Sequence, residues 1–220
     1  MLLFRRNICL FIAVLLLSSI HHVAAQSSYY IEEPKLFTGG LVLGGNFSQI
    51  DGDNFAGYNK AGLNAGGIVY VRIDEHIAAS LEILYSQKGS RARDPIAVAT
   101  GYSYSDYRIS LNYAEIPVMI NYVNKRKSNF GLGFSYSRLA FSSESFTSYP
   151  AQIFDESQYP FKKSDLNFLI GGNFHLWKGL LLNIRYQYSL FSIRNSLPQT
   201  SENAPQFNNM WVVRLMYLFM

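Results

Sequence analysis

Cysteine is all but missing from this chain: Cys9 is the only one in 220 residues. One thiol makes no disulfide framework and no thiolate metal site, so stability and function must come from other groups. Charge is sparse as well, at 15% of residues. Histidine is rarer still, and beyond residue 25 only His76 and His175 remain, so chemistry built on histidine has few places to stand. No stretch after residue 25 approaches the ~18 consecutive apolar residues of a spanning helix.

The first 25 residues read as a leader. Arg5 and Arg6 precede an apolar run from Ile8 to Ile20, and Val23-Ala24-Ala25 puts small residues at positions −3 and −1 of a cleavage site. The pattern predicts a signal peptide over 1–25, cut after Ala25. Cys9 falls inside it, which leaves an exported chain without a thiol and without a lipid-anchor cysteine. With Arg5 and Arg6 removed, 17 basic residues face 15 acidic ones, a net charge of +2. That balance excludes nucleic acid as a partner despite the basic pI.

What the chain does have is alternation. Across Leu180–Phe191, Leu180, Leu182, Ile184, Tyr186, Tyr188 and Leu190 share one face, while Asn183, Arg185, Gln187 and Ser189 share the other. A strand sends successive side chains to opposite sides, so this segment has one apolar and one polar face. The same reading gives eight strands, at 37–48, 60–73, 77–88, 107–123, 130–141, 164–176, 180–193 and 209–220. Each is long enough for the ~9–11 tilted residues that cross a bilayer. The joins alternate strictly. Short ones (74–76, 124–129, 177–179) take turns with long polar ones (49–59, 89–106, 142–163, 194–208). A soluble sandwich gives no reason for that alternation, whereas outer-membrane barrels have short periplasmic turns and longer outer loops. The expectation is an all-β, eight-stranded antiparallel transmembrane β-barrel with a plugged lumen over 37–220. A periplasmic lead-in over 26–36 precedes it, and both termini face the periplasm.

The predicted outward faces carry no charge, as in Trp211, Val213, Leu215, Tyr217 and Phe219, or Leu166, Phe168, Ile170, Phe174 and Leu176. Leu63, Ala65, Val69, Val71 and Ile73 continue the pattern. The 16 tyrosines and 16 phenylalanines suit a protein with two membrane–water interfaces. Gly39, Gly40, Gly44 and Gly45 in the first strand mark bending or close approach. In the fourth strand the polar face moves from Arg108, Ser110 and Asn112 to Glu115 and Asn121, which predicts a β-bulge between them, near Pro117.

Gly44-Gly45-Asn46-Phe47-Ser48, LEILYSQKG at 81–89, LNYAEIPVMINY at 111–122, Gly131-Leu132-Gly133 and LNIRYQY at 182–188 resemble the PorT-like outer-membrane β-barrel family of Bacteroidota. The resemblance spans nearly the whole exported chain and is specific for barrel architecture rather than for an activity. One member of that family serves the type IX secretion machinery, so the resemblance implies an accessory part in secretion or envelope assembly.

Five charges, Arg72, Glu82, Glu115, Arg185 and Arg214, lie on polar faces and are expected to share one lumen. An eight-stranded barrel is just wide enough to be filled by side chains, and isolated burial costs several kcal/mol per ion. The set therefore reads as a structural Arg–Glu plug rather than an ion path. Glu82 and Glu115 form a carboxylate pair of the kind used in acid–base work, but three arginines make both of them ionised partners. His76 and His175 fall at the short-turn end, the wrong side for an outer-leaflet hydrolase. Asp51-Gly52-Asp53-Asn54 begins like a calcium loop but lacks its twelfth-position Glu. No cofactor and no metal are expected. The expected partners are outer-membrane lipid and a protein of the envelope or secretion machinery. The contacts would be Phe146, Tyr149, Phe154 and Tyr159 in loop 142–163 and the basic turn Lys125-Arg126-Lys127. The function expected is a non-enzymatic structural or interaction role. A small solute channel and an outer-membrane enzyme stand as alternatives.

Overall fold

The computed structural model describes residues 36–53, 57–92, 96–97, 103–124, 128–149, 160–195 and 205–219, with 96–97, 103–106 and 146–149 described as backbone. Among these are nine strands: β1 (Phe37–Asp51), β2 (Lys60–Arg72), β3 (Ile77–Ala92), β4 (Ile96–Ala97), β5 (Ser103–Val123), β6 (Asn129–Tyr149), β7 (Ser164–Trp177), β8 (Leu180–Ser189) and β9 (Phe207–Leu218). Neighbours pair antiparallel in the order β3-β2-β1-β9-β8-β7-β6-β5, and β3 pairs back onto β5. Eight strands thus close a barrel and leave no edge. The short β4 adds a rung to β5 beyond the closure, Ile96 facing Tyr104. The expected short and long joins alternate as read from the sequence.

The strands run further toward the long-loop end than the alternation predicts. β3 continues to Ala92, β5 starts at Ser103 and β6 continues to Tyr149, whereas β8 stops at Ser189. The first part of the expected loop 142–163 is therefore strand, paired to β5 as far as Tyr149 opposite Ser103. Phe146 and Tyr149 sit on that strand. Phe154, Tyr159 and Lys125–Lys127 lie outside the described residues, as does the leader.

Around the middle of the barrel the outside is apolar and the inside polar. Leu43 is 62% exposed and Ile83 69%, with Leu41, Val118, Leu132, Phe134 and Leu215 likewise exposed. A continuous apolar girth of this extent marks a lipid-facing surface rather than a solvated one. Aromatic rings edge it: Tyr122, Phe130, Trp177 and Tyr217 toward the short turns, and Phe47, Tyr85, Tyr136 and Trp211 toward the long loops.

Above that upper ring the polarity inverts, and this, rather than the expected bulge, moves the polar face of the fourth strand. On β5 the odd residues point inward without interruption, from buried Tyr107, Ile109, Leu111 and Tyr113 to buried Glu115, Met119 and Asn121. Arg108, Ser110 and Asn112 stay outward because that stretch stands in water. Tyr107, Ile109, Leu111 and Tyr113 join Ile50 and Ile193 in an apolar core inside the barrel mouth. The strand does not turn over; the solvent does. The β5–β6 ladder does shift register at the expected place, but with the extra residue on β6, where Asn112 faces Phe141 and Tyr113 faces Leu139, leaving Ala140 unpaired; a second shift lies higher, between Ser105 and Arg108. Pro117 simply drops a rung: the β3–β5 ladder passes from Leu81–Val118 to Leu84–Glu115 in constant register, as a residue without an N–H requires.

One expected glycine role is explicit. A Cβ on inward-facing Gly44 would lie 2.3 Å from Arg214 Cα, so β1 and β9 approach closely where Arg214 enters the lumen.

Candidate functional site

The lumen is stacked in layers. Toward the short turns Val42, Ile68, Tyr70, Ala78, Leu84, Leu181 and Met216 form an apolar cluster, with Val123 and Leu218 packed against it. Toward the long loops lies the second apolar core around Leu111 and Tyr113. Between them the inward polar residues meet.

Glu82 of β3 receives two arginines from strands that do not adjoin it. Arg185 Nη2 on β8 donates to Glu82 Oε1 at 2.5 Å, and Arg214 Nη2 on β9 lies 2.7 Å from Oε2. Arg214 also donates from Nε to Asn183 Oδ1 at 2.8 Å and from Nη1 to Asn64 Oδ1 at 3.0 Å. Asn183 in turn donates to Asn173 Oδ1 at 2.6 Å, and Asn173 to the Tyr70 hydroxyl at 3.1 Å. The network thus bridges the barrel wall to wall.

A second cluster sits one layer nearer the loops. Lys88 Nζ lies 3.3 Å from Glu115 Oε2 and 3.6 Å from Asp165 Oδ2. It also donates to Ser137 Oγ and Asn167 Oδ1, at 3.2 and 3.3 Å, and stands over the Tyr113 ring. Gln187 Nε2 donates to Glu115 Oε1 at 2.7 Å, and Asn208 Nδ2 to Asp165 Oδ2 at 2.9 Å. A third pair seals the mouth: Arg194 Nη2 donates to Glu144 Oε2 at 2.6 Å, its guanidinium lying over the Phe161 ring. In the three clusters four cations meet four carboxylates, all buried.

Of the five charges expected to converge, Glu82, Arg185 and Arg214 do so directly, and Glu115 belongs to the neighbouring cluster. Arg72 does not join. It keeps inward parity but lies at the short-turn rim, exposed, and among the described residues it makes no ion pair. Lys88, Asp165, Arg194 and Glu144 were not expected there. Lys88 and Asp165 share parity with Glu82 and Asn167 on their own strands, and that signal finds them.

Each lumen carboxylate faces a cation. His76 stacks on Tyr122 at 5.8 Å in its turn, and His175 near the end of β7 is hydrogen-bonded through Nε2 to Lys178 O at 2.6 Å. Asp51 already accepts from Gln49 Nε2 at 2.8 Å and from Asn209 Nδ2 at 3.1 Å. Among the described residues no cluster of three His, Cys, Asp or Glu has the spacing of a metal site. At the barrel mouth a cleft of about 440 Å³ opens beside Ala140, lined by Leu139, Ser142, Pro160, Phe161, Lys163 and Arg194.

No curated protein matches the chain. Among solved structures it is similar to Ail, the attachment invasion locus protein of Yersinia pestis, at 11% identity and TM-score 0.45, covering 84% of this chain and 100% of that one. Neisserial surface protein A follows at 10% identity and TM-score 0.44, covering 84% and 98%. OprG from Pseudomonas aeruginosa stands at 13% identity and TM-score 0.38, covering 83% and 94%. At such identities and scores these likenesses say nothing about what this chain does. The model of the outer membrane protein beta-barrel domain matches residues 24–195, most of the chain and nearly all of the barrel. The closed barrel with its apolar girth and polar, filled interior is thus a member of the outer membrane protein β-barrel domain family, and the outer membrane is its place.

Proposed function

We propose that this protein is a non-enzymatic barrel with a structural or interaction role, working through its surface loops and turns, with both termini in the periplasm. One observation carries the reading: a charge-balanced polar layer is closed above and below by apolar clusters, so the lumen offers neither a water path nor a reactive group. The working surfaces are then external. Loop 142–163 remains the proposed contact for an envelope protein, supported by the cleft between its two ends, and Lys125–Lys127 the proposed periplasmic one. Planar-bilayer recording tests the sealed lumen: no steady conductance is expected, and a stable wide channel would replace this reading with a small porin. An epitope after Phe219 should be labelled only in permeabilised cells; labelling of intact cells would reverse the orientation.

The likeness of residues 81–89 and 111–122 to PorT-like proteins supports a second reading, an accessory part in a type IX-like secretion or envelope-assembly machine. Affinity capture from detergent-solubilised membranes decides it. Stoichiometric recovery of secretion components would select it, and recovery of the barrel alone would remove it.

A further inference from the structure

The four cations of the lumen clusters each have a carboxylate, whereas among the described residues Lys60, Arg91 and Arg108 at the long-loop rim have none. Arg91 of β3 stands directly opposite Arg108 of β5 in the ladder, which puts both on one face, and Arg108 is exposed there. Lys60, the first residue of β2, lies on the next strand, opposite inward Ser48 and therefore on the inner side of the rim. Its carbonyl and that of Gly89 share the Ser48 hydroxyl. Burial, then Arg108 and Arg91, hold the Lys60 ammonium below the usual lysine range. Like charges directly opposite each other destabilise a strand pair. Among the described residues none of the three side chains has an acidic partner, and Arg91 Nε is buried without a hydrogen bond. Other rim cations differ: Arg138 donates to Ser164 Oγ at 3.2 Å and Lys162 to Ser192 Oγ at 2.7 Å.

The place of the cluster matters as much as its charge. On the same outward face, two rungs nearer the lipid belt, Gln87 Nε2 and the Tyr85 hydroxyl both donate to Asn112 Oδ1, at 3.1 and 2.9 Å. That network marks where lipid gives way to water. From Gln87 to Arg91 the strand climbs roughly 10 Å at a usual tilt and rise, into the headgroup zone. Neighbouring strands set the cations about 5 Å apart, within reach of adjacent phosphates, and guanidiniums bind phosphate oxygens in forked, charge-assisted pairs.

We infer that Arg91 and Arg108 bind the phosphate groups of a phosphorylated glycolipid in the outer leaflet, clamping the barrel to its surrounding lipid, with Lys60 adding positive charge from the inner side of the rim. The inference rests on the proposed orientation, with the long loops outward. Its chemistry is phosphate recognition, and its continuity with the lipid belt selects lipid over free phosphate as the source.

Native mass spectrometry of the exported barrel in detergent tests it, with diphosphoryl lipid A, the same lipid dephosphorylated, and sodium pyrophosphate as probes. The intact barrel should retain the diphosphoryl lipid about tenfold or more over the dephosphorylated one, and Arg91→Gln/Arg108→Gln should abolish that preference, since each charged hydrogen bond lost is worth about tenfold. The double variant should still migrate as a heat-modifiable barrel, because removing opposed cations relieves repulsion. If it fails to fold, Arg108→Gln at the exposed position carries the test. Unchanged lipid retention in the variants would overturn the site, as would equal retention of the dephosphorylated lipid. Pyrophosphate binding as strongly as the lipid would overturn the lipid source. A barrel that conducts in planar bilayers yet passes this test would sink the sealed-lumen reading and leave the site standing.

Discussion

Glu82 is the residue on which the lumen turns, because two arginines from two other strands end on one carboxylate. The asymmetry predicts an order of damage. Arg185→Ala or Arg214→Ala leaves Glu82 with one cation, and each should cost about 1–3 kcal/mol through unsatisfied partners. Glu82→Ala strands two buried cations at once and should cost more, about 3–5 kcal/mol. Urea titrations followed by Trp177 and Trp211 fluorescence in detergent would rank the three, and a Glu82 variant as stable as Arg185→Ala would refute the shared-carboxylate account. The sequence foretold this trio because inward parity and opposite charge coincide in mid-strand. It missed Lys88 and Asp165 because alternation fades near strand ends, where the predicted limits stopped short or sat at the edge. Arg72 was over-included for the converse reason: parity gives direction, not depth, and the lumen ends before Arg72 is reached.

At the scale of the element, the alternation located eight strands and every turn between them, since lipid on one side and a narrow lumen on the other leave a period of two nowhere to hide. It misjudged β5 because the periodicity says which residues share a face and not what that face meets. Past Tyr85 and Tyr136 the outside is water, so apolar Ile109 and Leu111 turn to the interior and Arg108 to solvent, as in a soluble protein. Two outcomes follow. Leu111→Ala, on a side chain with no exposure, should cost about 2–5 kcal/mol as a core cavity does, although it faces a barrel interior. Gly44→Val places a branched side chain where even a Cβ meets Arg214 Cα at 2.3 Å; it should cost about 1–3 kcal/mol or more as overpacking does. Both are read from the temperature at which the compact band disappears on a gel. A Leu111→Ala barrel as heat-resistant as the parent would mean the mouth is hydrated, and an unaffected Gly44→Val would mean β1 and β9 stand further apart.

The whole molecule is held by where the bilayer sits, and the outward face of β5 is a ruler for it. Tyr122, Ile120, Val118, Ile116 and Ala114 face lipid and Asn112, Ser110 and Arg108 continue beyond. From Tyr122 to Ala114 the tilted strand rises roughly 20 Å, close to the ~25 Å apolar band of such barrels. An arginine walked along this face should therefore trace the membrane profile. Val118→Arg at the middle should cost about 2–4 kcal/mol, Ala114→Arg nearer the interface about 0–1, and Ser110→Arg almost nothing. Reversible unfolding in phospholipid vesicles measures all three on one strand in one register against β3, although the shift on β6 falls between Ser110 and Ala114. A soluble barrel would instead tolerate arginine at Val118, which is 51% exposed, as it tolerates any surface change, within about 0.5 kcal/mol. A flat profile would remove the membrane from the account. A profile peaking nearer Ser110 would place the bilayer at the mouth and turn the inner core around Leu111 back into an unexplained feature.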